Sequence, residues 1–338
     1  MKCRSRRRFL QGSLVLGSLG LLSACGQLPF QAPAPAQIPR IGLLSPSSPD
    51  FSRNLEEGPF RQRLHELGYV EGQHLAIEAR YAEGRNERLP DLLATLIDPP
   101  VDVLVVGGPS AVRAAKQATG AVPTVMVGGS RDPVEAGYVA SLARPGGNIT
   151  GLTTAPSELT DAKRLELLKQ SLPGLSRVAV LRDANGVSRS SQPQLEHGAR
   201  TLGVQLELLD VRGPEELGAA LGIAATAGAE ALLVTADEML VANGQRIAEL
   251  AAGSGLPAIS TFTEFATHGG FMAYGVNLPE LWKRAAYYVD RILKGANPAD
   301  LPVEQPTKFD FVINLKTARA LGLTFPQEVL MQATEVIQ

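Results

Sequence analysis

The chain has 338 residues, 44% of them hydrophobic and 20% charged, with a formal net charge of −2. That length suits two domains at ~100–200 residues each, and the near-neutral balance argues against a nucleic-acid partner, which needs a strongly basic face. No uninterrupted apolar run reaches the ~18–20 residues of a membrane-spanning helix.

Residues 1–24 read as an export leader rather than as part of the fold. Lys2, Arg4, Arg6, Arg7 and Arg8 form a basic start, and residues 12–24 follow as a short apolar stretch diluted by glycine and serine. Ser5-Arg6-Arg7-Arg8-Phe9-Leu10 resembles the twin-arginine export signal. Leu22-Ser23-Ala24-Cys25 resembles a bacterial lipobox, in which Cys25 carries lipid and becomes the first mature residue; a plain cleaved Sec leader is the alternative. Residues 25–37, with Pro29, Pro33 and Pro35, then read as a tether. The other cysteine is Cys3, inside the leader, so the mature domain is expected to hold no disulfide, thiol nucleophile or cysteine metal site. The expected location is the periplasmic side of a bacterial membrane, anchored by lipid.

In chain order, residues 38–45 (IPRIGLLS) form a first buried strand. Residues 51–67 form a helix broken at Gly58-Pro59, and the alternating 74–82 (HLAIEARYA) an edge-ward strand. A helix covers 86–97, with Leu89, Leu92, Leu93 and Leu96 at helical spacing. Residues 103–106 are a continuous apolar run, as in a parallel strand covered on both faces. Gly107-Gly108-Pro109 stops it, Ser110 stands where a helix N-cap should, and 111–118 make the helix. Strand 122–127 ends likewise in Gly128-Gly129-Ser130, followed by a helix over 133–142 and a glycine-rich connection over 143–151.

A second series then repeats the alternation. Helices are expected at 159–172, 192–202, 214–227 and 238–253, and strands at 177–181, 205–211, 231–235 and 257–260. Strand 270–276, helix 278–293 with Trp282 packing, a crossing segment 296–306, a short strand 309–313 and a final helix 326–337 complete the chain. Strands alternating with helices give an α/β fold of two Rossmann-like lobes with parallel sheets.

Little in the chain looks catalytic. His65, His74, His197 and His268 lie in unrelated settings with no second ligand at i+4, so no metal or other cofactor is expected. There is no nucleophile elbow, P-loop or dinucleotide fingerprint. The strand-end loops carry hydroxyls and carboxylates instead: Ser45, Ser47, Ser110, Ser130 and Asp132 in the first half, and Asn185 and Asp237 in the second, with Tyr274 near the last crossings. In open parallel sheets ligands bind outside the carboxyl ends of strands. This set suits a zwitterion, with hydroxyl and N–H donors for a carboxylate, an aspartate for an ammonium and an aromatic for the side chain. Capping accounts equally well for Ser110, Asp132 and Asp237, and packing for Tyr274.

Several stretches resemble one family. Asp132-Pro133-Val134 running into ASLARPGGNITG at 140–151, Glu66-Leu67-Gly68-Tyr69-Val70-Glu71-Gly72, Ala82-Glu83-Gly84 and FDFVINLKTA at 309–318 are similar to bacterial ABC-transporter substrate-binding proteins. The resemblance runs from about residue 38 to the end. It implies a type I periplasmic binding-protein fold, two lobes joined by a three-crossover hinge, with lobe 1 at 38–150 plus 272–305 and lobe 2 at 151–271 plus 306–338. It also implies a small ligand in the cleft, an amino acid such as tryptophan or phenylalanine in characterised relatives, and an ABC permease as partner. By position, Ser110 takes the place of the family's carboxylate-binding turn, residues 130–132 of its acidic loop, and Asp237 of an aspartate after a second-lobe strand. Ala273-Tyr274-Gly275 matches a Ser-Tyr-Gly pattern. The expected function is a lipid-anchored solute receptor that closes on its ligand and is not an enzyme; a secreted hydrolase, or another enzyme on an α/β fold, is the alternative.

Overall fold

The computed structural model describes residues 38–129, 132–153, 157–184, 186 and 191–338. These form one compact unit, 38–338, built on two sheets. The first has strand order β2-β1-β3-β4-β5, with β1 at Arg40–Ser45, β2 at Ala76–Tyr81, β3 at Val103–Gly107, β4 at Thr124–Val127 and β5 at Ile149–Leu152. All its pairs are parallel. The second has order β12-β11-β10-β9-β8-β6-β7, with β6 at Arg177–Asp183, β7 at Gln205–Val211, β8 at Ala231–Val234, β9 at Ala258–Ser260, β10 at Met272–Val276, β11 at Phe309–Asn314 and β12 at Glu335–Ile337. Its pairs are parallel except β10 with β11.

Each sheet is buried on both faces because successive strand residues point to opposite sides. Ile41, Leu43, Val103, Val105 and Val125 pack against Phe60 and Leu64 of α2 (Gly58–Glu66) and Leu281, Trp282 and Val289 of α11 (Leu278–Leu293). Their neighbours Leu44, Leu104, Val106 and Met126 face Leu89, Leu93 and Leu96 of α3 (Leu89–Ile97) and Ala111, Val112 and Ala115 of α4 (Gly108–Ala118). In the second sheet, Val178, Val180 and Leu233 pack on α5 (Ser157–Ser171) and α6 (Gln192–Leu202). Ala179, Leu181 and Leu232 pack on α7 (Leu217–Thr226) and α9 (Gly244–Gly253). Side chains buried to this degree are worth ~1.5–3 kcal/mol each.

The two sheets meet along adjacent crossing segments. Thr153 N–H donates to Glu304 O at 2.9 Å and Asn277 N–H to Lys308 O at 3.0 Å. Strand β10 belongs to the second sheet through β9 and β11, so residues 272–276 do not sit with the first sheet as the sequence reading has it. Helix α11, which follows, does pack on the first sheet.

Other expectations need correction. The expected helix over 133–142 is a series of turns: Asp132 Oδ1 accepts from Val134 and Glu135 N–H, and Gly137 sits at φ +71°. The glycine-rich connection ends in a strand, β5, where Gly151 at φ +124° lies so close to β4 that a Cβ would stand 2.2 Å from Met126 O. The expected helix 238–253 is two, α8 (Glu238–Ala242) and α9, separated at Asn243. The final helix is one turn, α13 (Gln327–Leu330), followed by β12 on the sheet edge. Gly58-Pro59 does not break its helix; a short turn, α1 (Pro49–Phe51), passes through a π-helical stretch, Ser52–Glu57, straight into α2.

Candidate functional site

The carboxyl ends of β1 and β3, the helices leaving them, and α8 from the second sheet come together in one place. Ser45 ends β1 fully buried, and its Oγ donates to Glu56 Oε2 at 2.6 Å. Ser47 Oγ reaches Glu56 Oε1 at 3.4 Å, and Ser47 N–H donates to Ser45 Oγ at 3.1 Å. Glu56 lies in the π-helical stretch and is itself buried. Gly58 N–H bonds five residues back to Arg53 O, and within that stretch Ser52, Leu55, Glu56 and Glu57 are buried. Burial pushes the Glu56 carboxyl above the ordinary carboxylate range, against the serine hydroxyls, which favour its ionised form. Glu57 beside it accepts from Arg61 Nε at 2.7 Å and from the Tyr81 hydroxyl.

Helix α4 begins one turn earlier than the sequence pattern indicates. Its N-cap is Gly107, with no side-chain cap, so Ser110 lies inside the first turn rather than capping it. Gly108 takes φ +75°, and a Cβ on Gly107 would lie 2.9 Å from the Trp282 ring packed beneath. Two glycines therefore let the turn sit flat on an indole and keep its outer face open to close approach. That face is occupied by Glu238 of α8. Ser110 N–H donates to Glu238 Oε1 at 3.1 Å, and Asn86 Nδ2 donates to Glu238 Oε2 at 2.8 Å. Asn86 is held in turn by the Ser110 hydroxyl, which donates to its Oδ1 at 3.4 Å. A carboxylate at a helix N-terminus lies where the exposed N–H groups and the helix dipole favour negative charge. Phe51 and Phe262 meet edge to face nearby, ring centres 6.0 Å apart, as a second contact between the two sheets' loops.

On the second-sheet side Asp237 is buried at the N-cap position of α8, without a side-chain capping bond. Its Oδ2 accepts from the Thr235 hydroxyl at 2.8 Å and from Asp183 N–H at 3.3 Å, which ties the ends of β8 and β6 together. Its Oδ1 lies 2.2 Å from where a Gly186 Cβ would be, so a side chain there would collide with it. Tyr274 is half-buried, stacked on Phe309 with ring centres 6.0 Å apart and packed against the second-sheet core. Its carbonyl accepts from Arg164 Nη1 at 3.1 Å. Arg164 is fully buried, paired with Asp161 and donating to Thr261 Oγ1 at 2.6 Å, while Ser191 Oγ donates to Asp161 Oδ2 at 2.9 Å.

Of the residues singled out by sequence, Ser45 and Ser47 converge on Glu56, Ser110 on Asn86 and Glu238, and Asp237 stands next to Glu238 in the chain. Asp132 is exposed and caps a turn. Ser130, Asn185 and Cys25 lie outside the described residues. Sequence reasoning missed Glu56, inside an expected helix, and Asn86 and Glu238, each of which opens one. The one available signal is that Glu238 directly follows an aspartate already singled out at a strand end. Among the described residues no group of three or more His, Cys, Asp or Glu could hold a metal ion, and no helix is long and apolar enough to cross a membrane.

A model of the family described as "ABC transporter substrate binding protein" matches residues 48–337. The tyrosine-binding protein of Clostridioides difficile (strain R20291) is 24% identical over 265 residues, 78% of this chain and 75% of that protein. Among solved structures, an ABC domain from Streptococcus pneumoniae in complex with L-Trp is 26% identical with a TM-score of 0.79, over 89% of this chain and all of that one. A conserved domain protein from Vibrio cholerae is 24% identical with a TM-score of 0.80 over the same shares, a likeness of fold.

Proposed function

The chain belongs to the ABC transporter substrate-binding protein family, and from that premise we propose that it is an extracytoplasmic receptor for an amino-acid-like ligand bound between its two lobes. The observation that carries this reading is the likeness, over 89% of the chain, to a protein solved with L-Trp. The tyrosine-binding relative points to the same ligand class. The local chemistry agrees: the N-terminus of α4 suits a carboxylate, as its contact with Glu238 illustrates, and the acidic groups around Asp237 suit an ammonium.

The ligand is held by contacts from both lobes and released to an ABC permease when they part. The hinge is the set of crossing segments near Thr153, Asn277 and Glu304, where the two sheets meet. Ser110, Asp132, Asp237 and Tyr274 are ligand contacts in this reading, and Ser130 and Asn185 are proposed as further contacts from the sequence alone; Ser45 and Ser47 act through Glu56. No covalent step is required, and no cofactor. Lipid on Cys25 holds the receptor at the membrane beside its permease.

Isothermal calorimetry against a panel of L-amino acids, with L-Tyr, L-Trp and L-Phe included, tests the reading. One panel member is expected to bind saturably at one per chain and to be recovered unchanged. Chemical conversion of any member would make the protein an enzyme, and failure of the whole panel would remove the amino-acid class.

A further inference from the structure

In the first sheet, ordered β2-β1-β3-β4-β5, the chain leaves β1 for β2 on one side and then crosses back to β3 on the other. Helices α2 and α3, which make these two connections, pack on opposite faces of the sheet. The carboxyl ends of β1 and β3 are therefore its switch point, where open parallel sheets form the crevice that takes a ligand. Ser45 and Gly107 end those strands, and the Glu56 carboxyl stands between them. Its Oε2 accepts from Ser45 Oγ at 2.6 Å, and its Oε1 lies 3.7 Å from where a Gly107 Cβ would be.

The surroundings of Glu56 supply hydroxyls but no counter-charge. Ser47 N–H donates to Ser45 Oγ, which leaves the Ser45 hydroxyl hydrogen to point at Glu56 Oε2. The other oxygen has only the 3.4 Å contact with Ser47 Oγ, and glycine at 107 leaves its β3 side uncovered. Ser52 Oγ stands within reach of the carboxyl, fully buried and without a hydrogen-bond partner. Arg61 is committed to Glu57 and Glu71, and the Tyr81 hydroxyl to Glu57. Among the described residues no cationic side chain pairs with Glu56. A buried carboxylate without a cation destabilises a fold, so its retention at a switch point calls for a cation from outside the chain.

We infer that Glu56 is the first-lobe acceptor for the ligand's ammonium group, with Oε1 taking an amine N–H at the β1/β3 switch point and Ser45 and Ser47 holding the carboxylate in position. A charge-assisted hydrogen bond there is stronger than a neutral one, and in a site shut off from water it is stronger still. It adds a first-lobe charge to the acidic groups around Asp237, so that the amine is gripped from both lobes. Ser45 and Ser47 are then positioning residues. The identity of the ligand rests on the amino-acid-receptor reading; the demand for a cation rests on the surroundings of Glu56.

The test compares the full-length chain with Glu56→Gln, which keeps the shape and removes the charge. Both are titrated calorimetrically with L-Tyr, or with the panel member that wild type binds, and with the same molecule lacking its amino group. Glu56→Gln is expected to weaken binding of the amino acid by about tenfold or more and to change binding of the deamino analogue by less than about twofold. Ligand-free, the variant is expected to melt at or above the wild-type midpoint, the reverse of what loss of a structural group gives. A variant that melts below wild type, or that loses both ligands alike, would make Glu56 structural and overturn the assignment. Unchanged binding of the amino acid would overturn it as well. If no amino acid binds wild type, amines without a carboxylate (tyramine, tryptamine and putrescine) are titrated instead. An amine bound by wild type and lost in Glu56→Gln would keep Glu56 as the ammonium acceptor and discard the amino-acid class. Failure of every amine would overturn both readings.

Discussion

Serines at strand ends look alike in a sequence, but here they have different roles. Ser45 is fully buried and donates to Glu56, whereas Ser110 presents its N–H to Glu238 and its hydroxyl to Asn86. Glu56 is the more unusual group, since burial holds its carboxyl above the ordinary range. The folded state then keeps a proton that the unfolded chain loses from about pH 4.5 upward, so this group's contribution to stability falls as pH rises through that window. Glu56→Gln, which cannot titrate, is expected to gain stability relative to wild type between pH 4 and pH 7. Urea midpoints of both proteins at the two pH values measure the gain; a constant difference would mean that Glu56 is ionised as easily in the fold as out of it.

The π-helical stretch Ser52–Glu57 is the element on which that carboxylate depends. It places Glu56 and Glu57 inward and requires Gly58, because a Cβ there would stand 2.1 Å from Arg53 O. Gly58→Ala is expected to destabilise the fold by about 1–3 kcal/mol, the usual cost of an intrusion into packed structure. The same change should also relax the stretch toward an ordinary α-helix. Chemical denaturation reads the first effect. An unchanged urea midpoint would show that the turn accommodates the methyl and does not depend on glycine. The mismatch at 133–142 belongs at this scale too: a proline, a capping aspartate and good helix formers suggest a helix, but Gly137 at positive φ closes a turn instead.

At the scale of the molecule, two doubly covered sheets are linked by adjacent crossings and tied across their loops by Glu238 and by the Phe51–Phe262 pair. A ligand that binds only the folded, closed form raises the unfolding free energy by about 2.7 kcal/mol at a concentration 100 times its dissociation constant. That ligand should raise the thermal midpoint and, by closing the lobes, lower the radius of gyration. Differential scanning calorimetry paired with scattering on the same samples checks both. A raised midpoint with an unchanged radius would mean that the ligand binds without closing the lobes.

The alternation of apolar strands and amphipathic helices is local information, and by itself it determined the α/β class, the strands of both sheets' centres and the strand-end position of the candidate site. Apolar runs such as 103–106 and 231–234 can only be satisfied by burial on both faces. Motifs at 132–151 and 309–318 pointed to the family for the same reason: they are contiguous in the chain. Tertiary structure alone decided which groups the site contains. Asn86, Ser110 and Glu238 lie up to 152 residues apart, and nothing in the pattern around Glu238 distinguishes it from any acidic residue opening a helix. The edges were equally illegible, because β5 and β12 are short segments whose strand state depends on a neighbour offering its hydrogen bonds. Glu56 escaped notice because its partners, Ser45 and Ser47, come from the preceding strand end, and a carboxylate inside an expected helix reads as a solvent-facing one.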